Sequence, residues 1–164
     1  MPRPKRTPRA ASRCIGVISD THGLVRPQAV AALKGAEMLI HAGDIGKPEV
    51  LEALTAIAPV VAVRGNNDRG AWAATLPETA IVELGTLRLY VLHDVKTLTL
   101  DPVTAGFAAV IAGHSHQPRL EQRQGVLFLN PGSAGPRRFR LPIAVARLYV
   151  RAEALDAELI ELNV

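Results

Sequence analysis

The sequence predicts an α/β fold in which two sheets pack together with helices on the outside. Three observations lead there. Short β-branched apolar runs alternate with short helical segments through the first half of the chain. The second half is richer in strands and contains two hairpin patterns. No linker or shift of composition divides residues 13 to 164, and a chain of 164 residues fits one domain rather than two.

In order, Cys14 to Ser19 is a buried strand by its continuous apolar character. Residues 27 to 34 form a helix, with Pro27 suited to its first turn. Met38 to His41 is a second strand, Pro48 to Ile57 a second helix opened by proline, and Val60 to Val63 a third strand. This β-α-β-α-β order requires parallel strands joined by right-handed crossovers. Ala80 to Leu84 and Leu87 to Leu92 flank Gly85-Thr86 as a hairpin, and Val110 to Ala112 is a short buried strand. Arg119 to Gln122 and Val126 to Leu129 flank Gln124-Gly125 as another hairpin. Ile143 to Val150 is a long strand. Ala154 to Glu161 reads equally as strand or helix, because Ala, Leu and Glu dominate it.

Composition excludes several classes. The chain is 48% hydrophobic, which excludes wholesale disorder. It has no apolar run near the roughly 20 residues that span a bilayer, so no membrane partner is expected. One cysteine forms no internal disulfide or zinc-finger cluster, and Cys14 reads as inert core. The net charge of +4 is local: residues 1 to 12 hold Arg3, Lys5, Arg6 and Arg9, and without them basic and acidic residues balance. Pro2, Pro4 and Pro8 make that segment a disordered basic tail rather than an element. The neutral body and 4% aromatic content argue against nucleic acid. The short apolar stretch after the tail makes a poor signal peptide, so a cytoplasmic location is expected.

Chemistry gathers where the strands end. The ends carry Asp20-Thr21-His22, His41-Ala42-Gly43-Asp44, Gly65-Asn66-Asn67-Asp68, His93-Asp94 and Gly113-His114-Ser115-His116. In parallel α/β sheets the carboxyl ends of strands form the functional edge. If extended, residues two apart point the same way about 6.5 Å apart. Asp20 and His22 then grip one ion, and His114 and His116 do the same or serve two adjacent ions. Asp44 has two oxygens with which to bridge a pair, and Asn66 offers a neutral amide oxygen. Imidazole mixed with hard oxygen suits Mn²⁺, Fe²⁺, Zn²⁺ or Ni²⁺ better than Ca²⁺. Each motif alone is an ordinary turn. Their conjunction is what points to metal: all five histidines lie in these segments.

Taken in order, D-x-H, G-D, G-N, a lone His and G-H-x-H, the motifs resemble the calcineurin-like metallophosphoesterase superfamily. The short length and Asn130-Pro131-Gly132-Ser133 resemble its small bacterial and archaeal phosphodiesterase branch. The resemblance implies a four-layer αββα sandwich of two mixed β-sheets flanked by helices, forming one domain over residues 13–164. It implies two divalent ions, Mn²⁺ favoured, one held by Asp20, His22, Asp44 and His116 and the other by Asp44, Asn66, His93 and His114. It also implies hydrolysis of a phosphoester, a phosphodiester first, by in-line attack of metal-bound hydroxide on phosphorus. Asp44, Asn66 and Asn67 are the expected catalytic residues.

Two positions depart from the family pattern. Asn67 stands where many members have histidine and the small branch often has cysteine, and an amide is no general acid at neutral pH. Asp94 follows His93 where glycine is usual, as a partner of the ligands or a solvated turn residue. His41 either supports Asp44 or simply ends its strand. Arg26, Arg64, Arg137, Arg138 and Arg140 are candidate phosphate contacts or solvated arginines, and Trp72 reads as packing. The alternatives are a phosphomonoesterase or nucleotidase of the same fold, and a non-catalytic scaffold that need not keep the ligands. Hairpin edges allow a dimer without requiring one.

Overall fold

The computed structural model describes residues 13–164. The basic tail expected at residues 1 to 12 lies outside them. Strand β1 (Arg13–Ile18) alternates its side chains: Ile15 and Val17 enter the core between the sheets, while Ile18 faces the helices. Helix α1 (Pro27–Leu33) starts at Pro27 and buries Ala29 and Leu33, one turn apart on one face. It packs closely on β1, because a Cβ at Gly16 would collide with Leu33 and Leu39. Strand β2 (Met38–His41) and helix α2 (Pro48–Thr55) follow. Glu49 lies in the first turn of α2, where a carboxylate complements the helix dipole, and Val50 and Leu54 are buried. Strand β3 (Val60–Ala62) completes the parallel set β1, β2, β3. A short helix α3 (Ala71–Ala74) bears Trp72, which packs against the core beneath α1 and α2.

Strands β4 (Thr79–Leu84) and β5 (Leu87–Leu92) form the first hairpin, followed by the 3₁₀ turn Val95–Thr97 and strand β6 (Ala109–Ile111). Strands β7 (Arg119–Arg123) and β8 (Val126–Asn130) form the second hairpin. Strands β9 (Ala144–Arg151) and β10 (Ala154–Glu161) close the chain.

The sheet orders are β10-β9-β1-β2-β3 and β4-β5-β6-β8-β7, each mixing parallel and antiparallel pairs. Both sheets turn one face into a shared core, where Ile15, Val17, Ile40, Leu89, Ile111 and Leu148 are fully buried. Burying each such side chain stabilises the fold by roughly 1.5–3 kcal/mol. The expected fold class is therefore present. Its outer layers are unequal: α1 and α2 cover the first sheet, whereas the second is covered mainly by the 3₁₀ turn and the loop around Phe107.

The last segment is a strand, not a helix. Its burial alternates, with Leu155, Ala157 and Leu159 turned to the core and paired along β9. The β9 strand also ends α1: Arg147 donates to the carbonyls of Ala32 and Lys34, both at 2.7 Å, supplying the cation that the last turn of α1 lacks. No helix among the described residues is long and apolar enough to cross a membrane.

Candidate metal centre

The loops after β1, β2 and β6 depart from extended geometry at their polar residues. Asp20, His22, Asp44, His114 and His116 all have positive φ, between 46° and 70°. These five side chains thus converge through single left-handed residues, not through strand alternation as the sequence spacing suggests. Such conformations cost of order 1–3 kcal/mol each and persist only where surrounding contacts impose them. Here the loops hold one another. Asp20 N donates to Gly43 O at 3.0 Å, His22 N to Asp44 O at 3.0 Å, and Gly23 N to Ile45 O at 2.7 Å.

The result is two adjacent clusters, Asp20 with His22 and His116, and Asp44 with His93 and His114. Within each, one ligand-type atom per residue lies within 4.8 Å of the others. The two histidines of the Gly-His-Ser-His segment therefore part company, one to each cluster. Asp44 Oδ2 is 3.3 Å from His93 Nε2 and 3.8 Å from His22 Nε2, so it faces both clusters. Asn66 Oδ1 is 3.1 Å from His114 Nδ1, which brings it to the second cluster.

The donor chemistry fits divalent cations. Asp20 Oδ1 and His93 Nε2 are buried without hydrogen-bond partners, a state that costs free energy unless something else satisfies them. His93 Nδ1 donates to the Ala42 carbonyl at 2.7 Å, so its Nε2 is left with a free lone pair aimed into the cluster. Ser19 Oγ donates to Asp20 Oδ2 at 2.7 Å, and the His114 backbone N–H donates to the same oxygen at 3.0 Å. One carboxylate oxygen is thus held by the protein while the other remains available.

Asn67 holds Asp44 twice, through its backbone N–H to Oδ1 at 2.8 Å and its Nδ2 to Oδ2 at 3.1 Å. Burial pushes the Asp44 carboxyl up, but His93 beside it, the Asn67 N–H and the charge of His22 outweigh that and hold it well below the usual carboxylate range. For His93, burial pulls the pKa down, and Asp44, the Ala42 carbonyl and Asp20 together raise it. Burial dominates at His22 and lowers its pKa.

His41 is settled as a brace between loops. It accepts from Gly43 N at Nδ1 (3.1 Å), so Nε2 bears the proton and donates to Thr21 Oγ1 at 3.0 Å; Thr21 in turn donates to Ile45 O at 2.9 Å. Burial depresses its pKa from 6.5 to about 4, a difference worth about 3 kcal/mol. The unfolded chain binds the extra proton between these values. Stability from neutral His41 is therefore fully present above pH 6.5 and is lost as pH falls towards 4. His22 acts in the same sense and His93 in the opposite one. We expect urea unfolding at pH 7 and pH 4.5 to show a steeper loss in the wild type than in His41→Asn, which keeps an acceptor for Gly43. Equal losses would refute this role.

Two supports, Asp68 and Ser19, escaped sequence reasoning. Asp68, read there as part of a turn, accepts from Gly46 N at 2.9 Å and Gly65 N at 2.8 Å, tying two loops together. Ser19 preceded the motif and bore no signal of its own. The segment from Asn130 to Ser133 reads in the sequence equally as a brace of the site or as a structural turn; Asn130 donates to Gly113 O at 2.9 Å and Ser115 Oγ at 3.0 Å, while Ser133 Oγ donates to Asp20 O at 3.0 Å. Asn130-Pro131-Gly132-Ser133 thus braces both the first and the last ligand loops.

The arginines divide. Arg26 donates to Gly135 O at 3.2 Å and Arg64 pairs with Glu78 at 2.8 Å, so both are engaged in the scaffold. Arg138 lies near enough to His22 for its charge to lower that pKa. Asp94 caps the 3₁₀ turn by accepting from Lys96 N at 3.0 Å, and its Oδ2 lies 3.7 Å from His114 Nε2. Cys14 is half-buried, and burial raises its thiol pKa, which suits an inert group. A cavity of about 400 Å³ opens beside the second cluster, lined by Gly65, Asn66, His93, Asp94 and His114.

Comparison with known proteins identifies the family of the chain. The sequence model of the calcineurin-like phosphoesterase superfamily domain matches residues 14–153. A probable metallophosphoesterase of Methanothermobacter thermautotrophicus is 37% identical over 158 residues, covering 89% of this chain and 91% of that protein. A phosphodiesterase of Methanocaldococcus jannaschii is 29% identical over 137 residues, covering 72% of this chain and 82% of that protein. The solved structure of an archaeal phosphodiesterase superposes with a TM-score of 0.75 at 22% identity, covering 90% of this chain and 99% of that one.

Proposed function

Because the chain belongs to the calcineurin-like phosphoesterase superfamily, we propose that residues 13–164 work as one metal-dependent phosphoesterase domain with a dinuclear centre, acting first on phosphodiesters. The observation that supports this best is the pair of adjacent clusters, with Asp20 Oδ1 and His93 Nε2 buried and otherwise unsatisfied. In this reading Asp20, His22, Asp44 and His116 hold one ion, and Asp44, Asn66, His93 and His114 the other. Mn²⁺ is the first choice, with Fe²⁺, Zn²⁺ and Ni²⁺ suited to the same donors. Divalent ions held by these residues would acidify coordinated water, giving a nucleophile for in-line attack on phosphorus at neutral pH, and would neutralise phosphoryl oxygens.

The chain's own residues do the positioning. Asp44 aligns both clusters, and Asn67 fixes the orientation of Asp44 through two hydrogen bonds. Asn66 presents an amide oxygen at the rim of the cavity. Asn67 is committed to Asp44 and has no proton to give at neutral pH. In this reading a leaving group takes its proton from water or from another residue, or departs as a stable anion.

Hydrolysis of bis(p-nitrophenyl) phosphate beside p-nitrophenyl phosphate tests the reading, using chelator-stripped protein returned to Mn²⁺. We expect turnover only with metal, faster on the diester. Metal-independent turnover, or none with any of these ions, would overturn it. A diester rate below the monoester rate would move the assignment to a phosphomonoesterase.

A further inference from the structure

A second cavity meets the metal cleft at His114 and Asp94, which line both. It has a volume of about 210 Å³ and lies on the outer face of the second sheet, where no helix covers the strands. Val110, Ala112 and Phe128 form its floor, and Val95 of the 3₁₀ turn stands on one side. Arg119, Glu121 and Arg123 share this face because each pairs with a β8 residue that points the same way. The spacing of Arg119 and Arg123 along β7 gives the groove a length of about 13 Å.

The charge of the rim suits a phosphoester. Arg119 and Arg123 both pair with the single carboxylate of Glu121, at 3.1 and 3.0 Å, leaving one positive charge in excess. Lys96 lines the groove as well, while Asp94 is engaged in capping its turn. The Arg123 guanidinium lies 5.0 Å from the centre of the Phe128 ring, so a planar group entering here meets both a ring and a guanidinium plane. The volume is below the roughly 300–1,000 Å³ of pockets that enclose a whole drug-sized ligand. It fits one ring-sized group while the phosphoryl part stays in the adjoining cleft.

We infer that this groove binds the organic group of the substrate, and that the enzyme selects phosphoesters whose ester group is flat and apolar or aromatic over those with small alkyl groups. The inference rests on the phosphoesterase reading above, and its test is separate from turnover. Calorimetric titration of the Zn²⁺-loaded protein with phenylphosphonate and with methylphosphonate reads the groove directly. The expected result is a phenyl-over-methyl affinity ratio of about ten, falling towards one in Val95→Trp, which fills the groove from an exposed position, and in Phe128→Ala. A ratio near one in the wild type, or a ratio unchanged by both variants, would overturn the inference. Protein that hydrolyses phosphodiesters yet shows no ratio would refute the groove alone. Protein that shows the ratio without hydrolysing any ester would refute the enzyme alone.

Discussion

Replacing Asp44 by Asn is expected to lower metal-dependent hydrolysis of bis(p-nitrophenyl) phosphate by at least about a thousandfold, a loss near 4 kcal/mol of transition-state stabilisation. Asp44 is held by Asn67 on one side and faces His22 and His93 on the other. Asn is the same shape but has one acceptor oxygen and an NH₂ group. The NH₂ would point either at the Asn67 N–H or at the Asn67 side-chain NH₂, donor against donor, and both arrangements waste a buried polar contact. The negative charge that gathers two cations is lost as well. Elemental analysis after reconstitution should show fewer than two metal ions per chain, while circular dichroism shows an intact fold. Activity within tenfold of wild type, at full metal occupancy, would remove Asp44 from the centre of the mechanism.

The largest structural effect is expected from Gly46→Ala. Gly46 has φ of 97°, and a Cβ there would run into the backbone of His22 and Gly23. Left-handed conformation alone costs an alanine about 1–2 kcal/mol. The obstruction is backbone, which cannot rotate aside as a side chain would. Relief would have to come from separating the loop of Asp44 from that of His22, breaking the bonds from His22 N and Gly23 N. We expect a total of more than about 3 kcal/mol, or a fall of about 10 °C in Tm at this chain size. Gly35→Ala is the matched comparison. Its φ of 85° is similar, but nothing lies within 4 Å of the added Cβ. It should cost only the conformational part, about 1–2 kcal/mol. Equal Tm shifts for the two variants would show that loop-on-loop packing matters less than the structure indicates.

Much of this protein was legible in its residues. Pro27 and Pro48 marked helix starts, the β-branched runs marked β1, β2 and β3, and Gly85-Thr86 and Gln124-Gly125 marked hairpins. Local propensity and short-range pattern decide such elements. Imidazole and carboxylate at successive strand ends have few structural uses, which made the site visible, and the resemblance to the superfamily supplied the full set of seven candidate ligands. Three things depended on contacts distant in sequence. Ala154 to Glu161 became a strand only by pairing with β9, and β9 joined the first sheet beside β1, more than a hundred residues away. His114 and His116 were assigned to different clusters by left-handed backbone that neighbouring loops impose. Asp68 and Asn130 became supports because their partners are backbone groups of other loops. Residue type and spacing determine which groups are available for chemistry and which elements form. The tertiary structure determines where those groups point, because orientation depends on hydrogen bonds and backbone strain shared between segments that no local pattern relates.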